Sequence, residues 1–239
     1  MIYSSISDRG KVRKQNQDNY SNLITDDFAL FVVADGMGGH KAGDIASKIA
    51  VDSIKDYILE KGARNDYSEL LENAIVFANN KILEKSKLDR ECNGMGTTVI
   101  CVLIDKDNKA YIANLGDSRI YHHSDKKLKQ ITKDDSYVQS LLDTGIENID
   151  EELIDNYKNI VTKALGIESQ VEINVSTIDL KKDDYIILVT DGLTNMVDDI
   201  EIEEVLNMDI NIKESAEILV YMANSSGGFD NITITLVRI

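Results

Sequence analysis

Proline is absent from the 239-residue chain, and cysteine occurs only twice, at Cys92 and Cys101. Without proline there is no stiff proline-rich linker, and no Ser/Gly-rich or Gln-rich stretch takes its place. The sequence is therefore read as one domain over residues 1–239. Two cysteines cannot form a disulfide framework and lack the spacing of a metal knuckle, so buried thiols in a reducing compartment are expected. No window approaches the roughly 18 apolar residues of a membrane span. The longest apolar runs, Phe28 to Ala34 and Tyr185 to Val189, are strand-sized. Met1-Ile2-Tyr3-Ser4-Ser5 lacks the basic-then-apolar order of a secretory signal. A cytoplasmic location is expected.

Positive charge is also scarce, with 26 Lys and Arg against 42 Asp and Glu, a net charge of −16. Such a field repels nucleic acid and anionic membrane, which need a basic patch, and attracts cations. Neither nucleic acid nor membrane is expected as a partner.

What is present is a series of short β-like runs rich in Val, Ile and Tyr: Ile2–Ser7, Phe28–Ala34, Thr97–Ile104, Ala110–Ala113, Arg119–His123, Ile173–Leu180, Tyr185–Thr190 and Asn231–Val237. Helical periodicity lies between them. Ile45, Ile49, Ser53 and Tyr57 share one face, Leu70, Ala74, Phe77 and Ile82 another, and Val205, Ala216, Leu219 and Val220 mark helices near the C-terminus. Asp105-Lys106-Asp107-Asn108-Lys109 reads as a hairpin turn. The helices are grouped rather than alternating with strands, which favours an α+β fold of two antiparallel sheets flanked by helices over a doubly wound sheet. The segment of about residues 134–165 is polar and acidic, with weak helical signals at Ser136–Leu142 and Glu151–Tyr157, as for an insertion over a site.

Three aspartates stand at the polar end of an apolar run. Phe31-Val32-Val33-Ala34 leads into Asp35-Gly36, Ile186 to Thr190 leads into Asp191-Gly192, and Asp230-Asn231 opens the last strand. An Asp beside a buried strand is costly to desolvate unless a cation or several hydrogen bonds compensate. Gly after Asp lets the backbone turn tightly and brings its carbonyl toward a ligand. Singly, each pair is as consistent with an ordinary Asp-Gly turn as with a ligand, and so are Asp18 and Asp117. The three together favour a ligand cluster. Oxygen donors without His or Cys select Mg²⁺ or Mn²⁺ over zinc. Asp18, Asp35, Asp191 and Asp230 supply about four negative charges, enough to balance about two divalent ions. A bound phosphate then needs further positive charge, and Arg13 offers a rigid donor fork.

Other phosphate chemistries lack their residues. A cysteine phosphatase needs Arg at a fixed distance beyond its Cys, where Cys92 leads to Thr98 and Cys101 to Asp107. A phosphoaspartate enzyme needs Asp-x-Asp-x-Thr, whereas Asp105-x-Asp107 leads to Lys109, and the same segment fails as a calcium loop because Gly116 stands where the closing Glu belongs. Neither a Walker A sequence nor a G-x-S-x-G elbow occurs.

Ser7-Asp8-Arg9-Gly10-Lys11-Val12-Arg13 with Asn16-Gln17-Asp18, then Ala34-Asp35-Gly36-Met37-Gly38-Gly39-His40, resembles the bacterial protein phosphatase 2C enzymes. Gly94-Met95-Gly96-Thr97-Thr98, Asn114-Leu115-Gly116-Asp117-Ser118-Arg119, Thr190-Asp191-Gly192-Leu193-Thr194 and Gly227-Gly228-Phe229-Asp230-Asn231-Ile232-Thr233 follow in that family's order, so the resemblance spans nearly the whole chain. It implies a four-layer α-β-β-α sandwich with two Mn²⁺ or Mg²⁺ ions in a cleft at one end. Asp35 would bridge both ions and the Gly36 carbonyl would bind one. Asp191 and Asp230 would hold the other, Asp18 would act through coordinated water, and Asp117 with Asp191 matches a third, weaker metal position. Arg13 matches the phosphate-binding arginine. The implied reaction is hydrolysis of protein phosphoserine and phosphothreonine by hydroxide shared between the metals. His40 or metal-bound water would protonate the leaving alkoxide.

The implied partners are phosphorylated proteins and an opposing serine/threonine kinase, and a monomer is expected. Alternatives are a pseudophosphatase that signals through partners and a hydrolase of small phosphoesters; loss of a ligand aspartate would mark the former, and none is lost. The flap departs from the family. Asp134-Asp135-Ser136 replaces a usual Asp-His-Ser, and Asn156-Tyr157-Lys158-Asn159 followed by Thr162-Lys163-Ala164-Leu165-Gly166 replaces a His-Pro-x-Arg-Asn stretch and Thr-Arg-Ala-Leu-Gly. Asp134, Asp135 and Ser136 are the flap positions expected to contact substrate, together with Arg13.

Overall fold

The computed structural model describes residues 1–37, 42–62, 66–145, 157 and 160–239. Two antiparallel sheets pack face to face. One has the order β1 (Ile2–Asp8), β11 (Ile232–Arg238), β10 (Tyr185–Val189), β7 (Arg119–Ser124), β8 (Lys127–Gln130). The other has the order β2 (Asp18–Ile24), β3 (Phe28–Met37), β5 (Val99–Asp105), β6 (Lys109–Leu115), β9 (Val175–Asp179), with short β4 (Gly96–Thr97) against the end of β3. Helices α1 (Ala42–Lys61) and α2 (Tyr67–Leu88) cover the second sheet, and α5 (Asp199–Leu206) and α6 (Ile212–Ser225) cover the first. Two short helices, α3 (Tyr137–Asp143) and α4 (Asp191–Thr194), sit near one end.

This α+β, four-layer arrangement explains why β3 reads as an unbroken apolar run. Phe31 and Val33 face the other sheet, where they meet Ile186 and Leu188. Leu30, Val32 and Ala34 point the opposite way, under α1 and α2. With both faces dry, nothing selects polar alternation. The hairpin at Asp105–Lys109 forms as its sequence suggests: Asp105 Oδ1 accepts from Asp107 N at 2.9 Å and Lys109 N at 3.0 Å, and Asn108 takes the left-handed φ of 61°.

The elements also depart from the sequence reading. β2 (Asp-Asn-Tyr-Ser-Asn-Leu-Ile) and β8 (Lys-Leu-Lys-Gln) are strands that polar edge composition conceals. On α1 the fully buried residues are Ala46, Ser47, Ala50, Ile54 and Ile58, while Ile45, Ile49 and Tyr57 of the expected face pack half-buried against the same core. Small residues let α1 lie close to β3, and a search for large apolar side chains passes over them. On α2, Phe77 is exposed and stacks on Tyr57 with ring centroids 5.3 Å apart, while Leu71, Ile75 and Ala78 join Leu70, Ala74 and Ile82 inside. Of the second flap helix expected at Glu151–Tyr157, only Tyr157 is among the described residues.

Candidate metal centre

Antiparallel register brings the ends of five strands to one edge of the sandwich. Asp18 at the start of β2 lies opposite Asp35 near the end of β3. β10 ends at Val189, opposite Ile234 of β11 and Arg119 of β7, so Asp191, Asp230 and Asp117 emerge together from neighbouring connections. A cleft of about 220 Å³ results, whose walls include Arg13, Asp35, Gly36, Asp117, Asp191 and Asp230. The residues singled out in the sequence thus converge, with Asp18 buried behind them at 5% exposure.

The Asp-Gly pairs are not turns. Asp35-Gly36 continues β3, and Asp191-Gly192 opens α4. Both glycines are required by close approach. A Cβ on Gly36 would lie 2.1 Å from the Gly43 carbonyl oxygen at the start of α1, and one on Gly192 would lie 1.9 Å from that of Asn231. The Asp35 main chain is saturated from β4 and the residue after it. Its carbonyl accepts from Thr97 Oγ1 and Thr98 N, both at 2.8 Å, and its N–H donates to Thr98 Oγ1 at 3.1 Å. The carboxylate is left to the cleft.

Asp18 is fixed by two threonines that sequence reasoning did not single out, although both lie inside the quoted motifs. Thr190 Oγ1 donates to Asp18 Oδ2 at 2.9 Å and Thr233 Oγ1 at 2.7 Å. Asp18 Oδ1 is buried without a partner, and so is Asp191 Oδ1, while Asp191 Oδ2 accepts from Asn195 Nδ2 at 3.0 Å. Burial, then repulsion from its neighbours, holds the Asp35 carboxyl well above the usual carboxylate range. Burial pushes Asp18 and Asp117 up to about 7 and Asp191 up to about 6, with neighbouring aspartates adding to it. Arg13 Nη2 donates to Asp230 Oδ2 at 2.6 Å, and that bond holds the guanidinium charged.

Unpartnered buried oxygens and mutually repelling carboxyls fit divalent cations. Among the described residues no three His, Cys, Asp or Glu side chains are drawn together tightly enough to cage an ion by themselves.

Other sequence candidates lie elsewhere. His40 is outside the described residues. Asp134, Asp135 and Ser136 do not line the cleft. Asp134 receives Arg119 Nε and Nη2 at 2.8–3.1 Å, Asp135 accepts from Gly116 N at 3.2 Å and pairs with Lys163 at 3.3 Å, and Ser136 caps α3 through Gln139 N at 3.2 Å. These contacts tie residues 134–136 to neighbouring main chain and side chains, so the side chains expected to meet substrate are engaged within the protein. His122 pairs with Asp184 at 2.9 Å and His123 with Asn207 at 3.2 Å, away from the cleft. Cys92 and Cys101 are free and buried.

Residues 9–223 match the family described as protein phosphatase 2C. The serine/threonine phosphatase stp of Listeria monocytogenes is 39% identical over 97% of this chain and 93% of its own length. The protein phosphatase PhpP of Streptococcus pneumoniae is 36% identical over 99% and 97%. Among solved structures, the serine/threonine phosphatase Stp1 of Staphylococcus aureus superposes with a TM-score of 0.92 at 32% identity, covering 99% of this chain and 94% of that one. The catalytic domain of the serine/threonine protein phosphatase PstP, in complex with 2 manganese ions, superposes with a TM-score of 0.86 at 33% identity, covering 99% and 97%.

Proposed function

The chain belongs to the protein phosphatase 2C family of serine/threonine protein phosphatases, and from that premise we propose that it hydrolyses protein phosphoserine and phosphothreonine with an activated water, opposing a serine/threonine kinase. The observation that carries this is the convergence of Asp35, Asp117, Asp191 and Asp230 on one cleft over buried Asp18, with one oxygen of Asp18 and one of Asp191 unpartnered. Two Mn²⁺ or Mg²⁺ ions, when bound, supply a deprotonated water near neutral pH and positive charge for the phosphoryl oxygens. Asp35, the Gly36 carbonyl, Asp191 and Asp230 would hold them, with Asp18 supporting them from behind and Asp117 with Asp191 available to a third ion.

The chain's own residues do the rest. Thr190 and Thr233 lock the rotamer of Asp18, so its free oxygen has one direction to point. Arg13, its side chain half exposed at the mouth of the cleft, can turn its remaining N–H groups toward an arriving phosphate dianion. That positions the ester and offsets the charge that accumulates on its equatorial oxygens. His40, a few residues beyond Gly36, is the proposed proton donor to the leaving alkoxide. The flap residues Asp134, Asp135 and Ser136 are not assigned to substrate, because their partners hold them elsewhere. No helix among the described residues is long and apolar enough to cross a membrane; the free cysteines favour a cytoplasmic enzyme acting on cytoplasmic phosphoproteins.

Phosphate release from a phosphothreonine peptide, titrated with Mn²⁺ and with Mg²⁺, tests the proposal. Wild-type protein is expected to depend on the metal, and Asp35→Asn and Asp191→Asn to lower kcat about a hundredfold or more. Near-wild-type turnover in those variants would remove the two-metal mechanism.

A further inference from the structure

Asn231 is buried at 4% exposure, next to Asp230 but not a carboxylate, and it needs its own explanation. Its three side-chain hydrogen bonds all go to the main chain of one loop. Oδ1 accepts from Gln17 N at 2.8 Å, and Nδ2 donates to the carbonyl oxygens of Arg9 and Gln15, both at 2.9 Å. These contacts fall on the two feet of the loop between β1 and β2, and Arg13 stands between them. The same loop is tied to the strand-entry segment at its crown: Lys11 N and Val12 N donate to the Gly228 carbonyl at 2.8 and 3.3 Å. Gly10 has φ +74°, and a Cβ there would lie 2.1 Å from the Asp230 carbonyl oxygen, so the two segments touch backbone to backbone.

We propose that Asn231 is a positioning residue that clamps both feet of the Arg13 loop and so holds the guanidinium in reach of the phosphate; this rests on the phosphate role given to Arg13 above. A guanidinium fork gains from its planar geometry only if the main chain beneath it is already ordered. The loop carries no strand or helix ladder of its own; main-chain bonds hold its crown, and the Asn231 amide, with two donors and an acceptor, holds both feet at once. Without the clamp, ordering the loop falls on each binding event, which weakens phosphate affinity and leaves the chemical step intact.

The test is hydrolysis of a phosphothreonine peptide at saturating Mn²⁺ by wild type, Arg13→Ala, Asn231→Ala and the double variant, with competition by inorganic phosphate and Mn²⁺ binding by calorimetry. Asn231→Ala is expected to raise KM and the phosphate inhibition constant about tenfold, to keep kcat within about threefold, and to leave Mn²⁺ affinity unchanged. In the Arg13→Ala background it should raise KM no further, because the two residues act on one interaction. Additive increases in KM, or an unchanged KM with weaker Mn²⁺ binding, overturn the proposal. Should Asn231→Ala fail to fold, Asn231→Ser adds no charge beside Asp230 and is too short to hold both the Arg9 and the Gln15 carbonyl. It is expected to raise KM likewise, and an unchanged KM overturns the clamp. If Arg13→Ala itself keeps wild-type KM and phosphate inhibition, the fault lies in the phosphate role of Arg13. If Arg13→Ala is impaired and Asn231→Ala is not, only the clamp fails.

Discussion

At the scale of single residues, the aspartates of the cleft oppose the fold through burial and mutual repulsion. Asp18 and Asp117 titrate at about 7 and Asp191 at about 6, with Asp35 well above the usual range, all chiefly through desolvation. In the unfolded chain the same groups lose their protons near pH 4. From about pH 4 upward the folded protein therefore holds protons that the unfolded chain has released, and stability falls as pH rises through about 7 and on until Asp35 is also ionised. Carboxyls pulled down by partners, such as Asp143 beside Lys133, titrate below this range and do not offset the trend. In chelator, the melting temperature attributable to this site should decline from pH 5 to pH 8, and the rise on adding Mn²⁺ should widen over the same interval. A metal-induced shift that is the same at both ends would contradict these pKa directions.

At the scale of elements, the cleft is built from close backbone crossings that leave no space for a methyl group. Gly36 of β3 rests against Gly43 at the start of α1, and Gly192 of α4 against Asn231 before β11. Gly36→Ala and Gly192→Ala must push backbone atoms apart, so each is expected to cost about 1–3 kcal/mol and to reduce turnover, because the shifted segments carry Asp35, Asp191 and Asp230. Asp198→Ala removes the capping box of α5, in which Asp198 accepts from Glu201 N at 2.8 Å, on an element that does not line the cleft. It should cost about 1 kcal/mol with kcat unchanged. Denaturant midpoints and kcat measured together separate the two behaviours, and a Gly36→Ala variant with wild-type values in both would refute the crossing as a constraint.

At the scale of the whole molecule, a net charge of −16 surrounds a cleft that must admit an anion. Long-range attraction therefore acts on the cationic surroundings of a phosphorylated residue, not on the phosphate itself. The value of kcat/KM for a phosphopeptide flanked by Lys should fall as salt rises from about 0.01 to 0.15 M, where the Debye length shrinks from about 30 to 8 Å. A peptide flanked by Glu should show the reverse. Equal salt dependence for the two would assign recognition to local contacts such as Arg13 alone.

Much of this was legible in the chain by itself. Apolar runs located the strands buried on both faces, grouped helical stretches gave the α+β order, aspartates at the ends of apolar runs suggested a ligand cluster, and the resemblance of the ordered motifs to a known family supplied the phosphatase reading. Those signals are local, since burial on both faces of a strand or an Asp at its end is written in adjacent residues. Tertiary structure alone decided the rest. It showed that the Asp-Gly pairs serve close packing instead of turns, that Ala46 and Ala50 face the sheet, that Asp134 and Asp135 pair with Arg119 and Lys163, and that Thr190, Thr233 and Asn231 hold Asp18 and the Arg13 loop. Each of these depends on partners up to 222 residues away, and no local pattern encodes which distant carbonyl or hydroxyl a side chain will meet once antiparallel register has brought them together.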